Sequence, residues 1–153
     1  MAIVLPDGVL GNPQLAYVRW WILLNCRVIA SIDLHPDTFQ PRNGTQTSVL
    51  ILQKKTTDEV NREARQSQLD DYAIFMAQVR AVGHDKRGNT IYVRNDDGEE
   101  ILFPPDAEDA ALLVIDDKGA NRRSVPPTKH IDDDTPKVAD AFLDWKKGAA
   151  LGW

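Results

Sequence analysis

The sequence predicts an α/β fold, read as the C-terminal half of a larger sheet-and-helix domain. Three observations carry that expectation. Ala2–Leu5 is an apolar run of strand character, Asn12-Pro13 opens a helix, and two further apolar runs follow at Val28–Ile32 and Ser48–Leu52. A strand-helix-strand unit buries its sheet only with more strands beside it and helices on both faces. With the first strand directly after Met1, the expectation is a partial domain whose other strands come from elsewhere.

Each element has a local reason. Asn12 can cap free N–H groups and Pro13 fits a first helical position, so a helix is expected from Pro13 to about Asn25. Leu15, Val18, Trp21 and Ile22 recur along it at helical spacing. Arg27–Asp33 reads as a buried strand, broken by His35-Pro36-Asp37. Pro41-Arg42-Asn43-Gly44 is a turn-rich loop, and Thr47–Gln53 is the next strand. The short, helix-free link between these two strands suits an antiparallel return.

Asp58–Leu69 is polar and reads as a short exposed helix or loop. Tyr72–Val82 is apolar enough for a core element, strand or helix. Asn95-Asp96-Asp97-Gly98 between Thr90–Arg94 and Glu99–Phe103 signals a hairpin. Residues 104–135 read as an irregular acidic excursion. Pro136–Lys147 closes as an amphipathic helix with Val138, Ala141, Phe142 and Trp145 on one face. The expected organisation is a partial α/β domain over 2–82, a turn and hairpin over 83–103, the excursion over 104–135 and the helix over 136–147.

The 153 residues suffice for a sizeable core, and the 42% hydrophobic and 27% charged composition is ordinary. No apolar run approaches the roughly 20 residues of a membrane span, and no signal peptide precedes the first strand. Cys26 is the only cysteine, which excludes an intramolecular disulfide and favours a cytoplasmic setting. The net charge of −5 is unevenly placed. Residues 1–94 hold 11 Lys and Arg against 9 Asp and Glu, whereas residues 95–153 hold 7 against 14. The acidic total therefore leaves a nucleic-acid-facing front half open.

Several segments together are similar to one family. They are Ile3-Val4-Leu5-Pro6-Asp7-Gly8-Val9-Leu10 and the stretch from Thr38 to Leu52 that contains Phe39-Gln40-Pro41-Arg42-Asn43-Gly44-Thr45. Ile74-Phe75-Met76-Ala77, Gly83-His84-Asp85-Lys86-Arg87-Gly88 and Asp134-Thr135-Pro136-Lys137-Val138 add to them. The chain resembles the modification (M) subunit of type I restriction enzymes and, more broadly, adenine-specific (amino-group) DNA methyltransferases. The resemblance is dense over residues 2–90 and weak over 100–130. It implies the C-terminal half of a Rossmann-like methyltransferase sheet, strand-helix-strand plus an antiparallel strand, with an added β-hairpin and a C-terminal helix.

The resemblance also implies partners and a cofactor. The family transfers a methyl group from S-adenosylmethionine to adenine in DNA and works with a specificity subunit that reads the sequence. Its glycine-rich cofactor turn and its Asn-Pro-Pro-aromatic catalytic turn match positions before Ala2, so this chain contains neither. Phe103-Pro104-Pro105 and Val125-Pro126-Pro127 echo the second motif without its Asn. The chain alone is therefore expected to hold no catalytic residue and to bind no cofactor, and its partner is the missing N-terminal half of the domain.

By the resemblance, Phe39 matches an aromatic that stacks on the flipped target adenine. The alternative is a core residue beneath a loop. Arg42, Asn43 and Gly44 in the same loop are candidates for a DNA phosphate, as are Lys86 and Arg87. Arg42 also reads as a plain solvated charge. Asp7 and Asp33 stand at strand ends, where open α/β sheets bind ligands, although Asp7 before Gly8 also reads as a turn former. Asp33, His35 and Asp37 are too weakly spaced for a metal site, so none is expected. In the Trp20-Trp21 pair, adjacent positions turn about 100° apart, so one ring can be core while the other faces outward; partial burial is expected, and an exposed ring would mark a partner surface.

Two functional expectations follow. The first is a part of a methyltransferase that supplies target-base and DNA-channel contacts. The alternative is a non-catalytic orphan fragment that binds a subunit or itself. In either case the open edge at Ala2–Leu5 invites self-association of the isolated chain.

Overall fold

The computed structural model describes residues 1–105 and 126–149, with the backbone alone at 113–116 and 119–122. The fold is mixed α/β. Its centre is a four-stranded sheet of β1 (Ala2–Pro6), β2 (Cys26–Asp33), β3 (Thr47–Lys54) and β4 (Phe75–Gln78), in the order β1-β3-β2-β4. β3 is antiparallel to both β1 and β2, while β4 runs parallel to β2. The expected antiparallel return is thus present, and the ambiguous Tyr72–Val82 segment resolves into the short strand β4.

The helix expected from Pro13 to about Asn25 is present, its first turn 3-10 in form, and a further short helix precedes it. α1 (Asp7–Gly11) starts directly at the end of β1, a 3-10 turn follows at Pro13–Leu15, and α2 spans Ala16–Asn25. Asn12 acts as the cap it resembles, but for the 3-10 turn, its side chain accepting from Gln14 N at 2.9 Å. Arg19 stitches the pieces together by donating to Val9 O at 2.9 Å and Asn12 O at 2.8 Å. Asp7 accordingly opens a helix rather than forming a plain turn, its carboxylate favourably placed in the first turn.

Ile22, Cys26, Val28, Leu50 and Leu52 form the buried core where α2 crosses the sheet, with Leu5, Leu10, Val18 and Leu23 packed around it. Trp20 and Trp21 depart from expectation: they are 58% and 64% exposed. Ile22 takes the core position, and the two tryptophans flank it on the outer side of the helix. α3 (Thr57–Gln66) is capped by a Thr56/Glu59 box. Arg27 ties it to β2 through Glu59 at 2.8 Å and Asp70 at 3.3 Å.

The opposite face of the sheet receives α4 (Thr135–Gly148). Phe142 and Trp145 meet Phe75 of β4 at ring separations of 5.4 and 5.7 Å, as the helical spacing of the sequence predicts. Between β4 and α4 lies a smaller, irregular region. The expected turn at Asn95–Gly98 is present, closed by Asn95 N to Glu99 O at 2.9 Å, and its arms meet at the bridge Arg94–Glu100 and through Ile101 N to Val93 O at 2.9 Å. β5 (Leu102–Phe103) pairs with β8 (Thr128–Lys129), and β6 (Leu113–Asp116) pairs with β7 (Gly119–Arg122). The rest of the predicted excursion at 106–112, 117–118 and 123–125 lies outside the described residues, as do 150–153.

Gly83 lets two segments of this region close on each other, its N–H donating to Asp132 O at 2.8 Å. It has φ +75°, and a Cβ there would stand 2.5 Å from Ile131 Cγ2. Only glycine tolerates both the left-handed backbone and that approach. Among the described residues no helix is long and apolar enough to cross a membrane.

Candidate functional site

β1, β2 and β4 all point their carboxyl ends to the same side, and β3 begins there. The register sets Pro6 beside Thr47, and Asp33 between Ser48 and Gln78. Both predicted strand-end carboxylates are therefore in one row. Asp7 accepts from Ser48 Oγ at 3.0 Å, and its N–H donates to Gln46 O at 3.1 Å. Asp33 accepts from Gln78 Nε2 at 3.1 Å and from Gln46 Nε2 at 3.4 Å. Each glutamine keeps a carbonyl oxygen and a second N–H for another partner.

Sequence reasoning missed Ser48, Gln46 and Gln78. Only a register assignment could have found them, because Gln78 is separated from Asp33 by 45 residues.

The loop from Leu34 to Gln46 rises from this row. Its turn is held locally: Thr38 Oγ1 donates to His35 O at 2.7 Å, Asp37 N donates to His35 Nδ1 at 3.1 Å and Asn43 N donates to Phe39 O at 2.9 Å. The peptide bond between Gln40 and Pro41 is cis. Asn43 Oδ1 accepts from Thr45 N at 2.9 Å, which commits that oxygen to the loop itself. The Gln40 amide rests against Gly44, where a Cβ would stand 2.7 Å from Nε2.

Phe39 is 40% exposed on this loop and outside the core cluster. It is thus not part of the buried core. Arg42 beside it is exposed and has no ion-pair partner among the described residues.

The second basic pair arrives from the turn after Gly83. Asp85 organises that turn, its Oδ1 accepting from Arg87 N at 2.8 Å and Asn89 N at 2.9 Å. Its carboxyl is held below the usual range, first by the Asn89 side-chain hydrogen bond and further by the Asn89 and Arg87 backbone and the Arg87 charge. Lys86 and Arg87 are left projecting and exposed. A Cβ placed on Gly88 would lie 3.7 Å from Pro41 Cδ, so this turn abuts the Phe39 loop. That contact sets the turn carrying Lys86 and Arg87 against the loop carrying Phe39, Arg42, Asn43 and Gly44, the loop that leaves β2 at Asp33.

An aromatic face, three nearby cations and a row of amides can grip a polyanion carrying flat bases. Cys26 is buried and does not serve these loops as a nucleophile. Among the described residues no group of three or more His, Cys, Asp or Glu side chains is arranged to hold a metal ion. Neither the family models nor the curated proteins yield a match to this chain.

Proposed function

We propose that this chain is part of an S-adenosylmethionine-dependent, adenine-specific DNA methyltransferase of a type I restriction-modification system. In it the chain supplies the wall against which the target base stacks and part of the DNA channel. The observation that carries the reading is the exposed Phe39 on the loop after β2, close in sequence to the exposed Arg42, with the turn that bears Lys86 and Arg87 packed against that loop at Pro41. The succession of strand, helix, strand and antiparallel strand supports it, since the Rossmann-like half of such an enzyme has that order.

Phe39 stacks on the extruded adenine, a contact worth about 1–3 kcal/mol. The three cations hold flanking phosphates, and the Asp33–Gln78–Gln46 row lies beneath. The cofactor belongs to the complete enzyme. The turn after β1 offers no cradle for it: Pro6-Asp7-Gly8 runs straight into a five-residue helix, and a Cβ on Gly8 would meet nothing within 4 Å. The remaining half of the domain and a specificity subunit are the partners, in the cytoplasm.

The test is methyl transfer by the reconstituted complex of this chain, the cofactor-bearing half and the specificity subunit. Phe39→Ala is expected to lower turnover on DNA while leaving S-adenosylmethionine affinity unchanged. Unaltered turnover removes Phe39 from the site.

A further inference from the structure

The outer side of β1 has no strand beside it among the described residues. Its polar groups follow from the register. Met1 and Leu52 exchange main-chain hydrogen bonds of 2.8 and 2.7 Å, and Asp7 N donates to Gln46 O. Bonded positions alternate along an antiparallel pair. Met1, Ile3, Leu5 and Asp7 therefore face β3, while Ala2, Val4 and Pro6 turn their backbone groups outward. Pro6, which lacks an N–H, stands where it breaks no bond to β3.

This edge carries little protection beyond its short length and Pro6. Ala2–Pro6 has no charged side chain and no bulge, and Val4 is 49% exposed. Next to it lies a groove of about 650 Å³ on the α2 face, lined by Met1, Ile3, Leu5, Val18 and Trp21.

We infer that β1 docks a second copy of the same chain, strand to strand and antiparallel, about a two-fold axis at Val4. In that register Val4 exchanges two hydrogen bonds with its counterpart. Each Ala2 N–H meets the other copy's Pro6 carbonyl, so the one missing donor costs a single bond per copy. The two sheets become continuous, and the grooves meet side by side under the exposed Trp21 rings.

The charges also complement each other. Asp7 of one copy falls at the Met1 end of the other, where Lys54 lines the same groove. Lys54 is exposed and has no ion-pair partner among the described residues. Ser48, which holds Asp7, and Lys54 are an even number of positions apart on β3, which puts both charges on one face. A partner of unrelated sequence has no reason to match this alternation of outward groups, proline and opposed charges. The pairing is a property of this chain by itself, because under the DNA reading the other half of the domain adds its strands to an open edge of the same sheet.

Sedimentation equilibrium of the full chain between about 1 and 200 μM tests the inference, because so small an interface implies a micromolar dimer. A reversible monomer–dimer equilibrium is expected. Val4→Lys places two like charges at the axis and is expected to weaken the dimer at least about tenfold, with an unchanged thermal midpoint. Lys54→Glu is expected to weaken it about threefold or more by facing Asp7 with a like charge.

A wild-type chain that stays monomeric throughout leaves the edge to a different protein and overturns the inference. So does a dimer that survives Val4→Lys but is lost in Leu24→Lys, since Leu24 lines the separate groove between α2 and α3.

Discussion

Lys55 and Glu63 are locked together in the interior, the ammonium 2.9 and 2.7 Å from the two carboxylate oxygens. The same ammonium donates to Leu23 O at 2.6 Å, and Asp70 N donates to Glu63. One buried cation thus satisfies a free carbonyl near the end of α2 and anchors α3 beside β3. Removing one partner strands the other charge out of water. Lys55→Met is expected to cost about 3–5 kcal/mol, and adding Glu63→Leu to return a large part of it. Urea unfolding of the two variants checks both values.

Acid attacks the same corner. The Glu63 carboxyl is held low chiefly by the Lys55 hydrogen bond, and that of Glu59 by the Thr56 backbone and side-chain hydrogen bonds. A lowered folded pKa contributes stability that is present above the unfolded value of about 4.3 and lost as pH falls through the folded one. The urea midpoint is therefore expected to hold from pH 7 to 5 and to fall below pH 4.3 or so. In Glu63→Gln that acid dependence is expected to be smaller.

Phe39 offers a direct optical test. A short single strand containing 2-aminopurine is expected to lose fluorescence on binding the wild-type chain, as the base stacks. Phe39→Ala is expected to abolish the quenching and to weaken binding about 5- to 150-fold, the equivalent of 1–3 kcal/mol. The ring is already 40% exposed, so stability is expected to change by less than about 0.5 kcal/mol.

The cations have a different signature. Replacing Arg42, Lys86 or Arg87 by alanine is expected to reduce the slope of log affinity against log salt by about 0.7–0.9 each. Anisotropy titrations at several salt concentrations measure it. Arg65→Ala on α3, in a separate group of polar side chains, is expected to leave the slope unchanged.

Much of the sheet was legible because periodicity and turn chemistry are local. The apolar runs became β1, β2 and β3 within one or two residues, and the face bearing Phe142 and Trp145 found Phe75. The helix over 13–25 was legible from Asn12 and Pro13, although they open it with a 3-10 turn, whereas α1 was missed because Asp7 can open a helix as readily as a turn. Trp21 fits a core spacing, yet Ile22 is the buried one of the two, with Val18 and Leu23 packed beside it; the tie between such neighbours is broken only by the angle at which the helix crosses. The loop cations could be named from their resemblance. The contact of Gly88 with Pro41, which sets two distant basic segments against each other, is tertiary and has no local signal.

The strand order β1-β3-β2 also constrains how the chain assembles. β3 follows β2 in sequence but lies between β2 and β1, so β1 has no hydrogen-bonding partner in this sheet until β3 is made. Ser48, which receives the end of β1, comes 41 residues after Asp7. The β2–β3 hairpin closes over a short loop and can form first, whereas β1 must wait for a longer closure. During synthesis Ala2–Pro6 thus passes through an interval with both of its edges open, and a neighbouring nascent chain can engage it before its own β3 arrives.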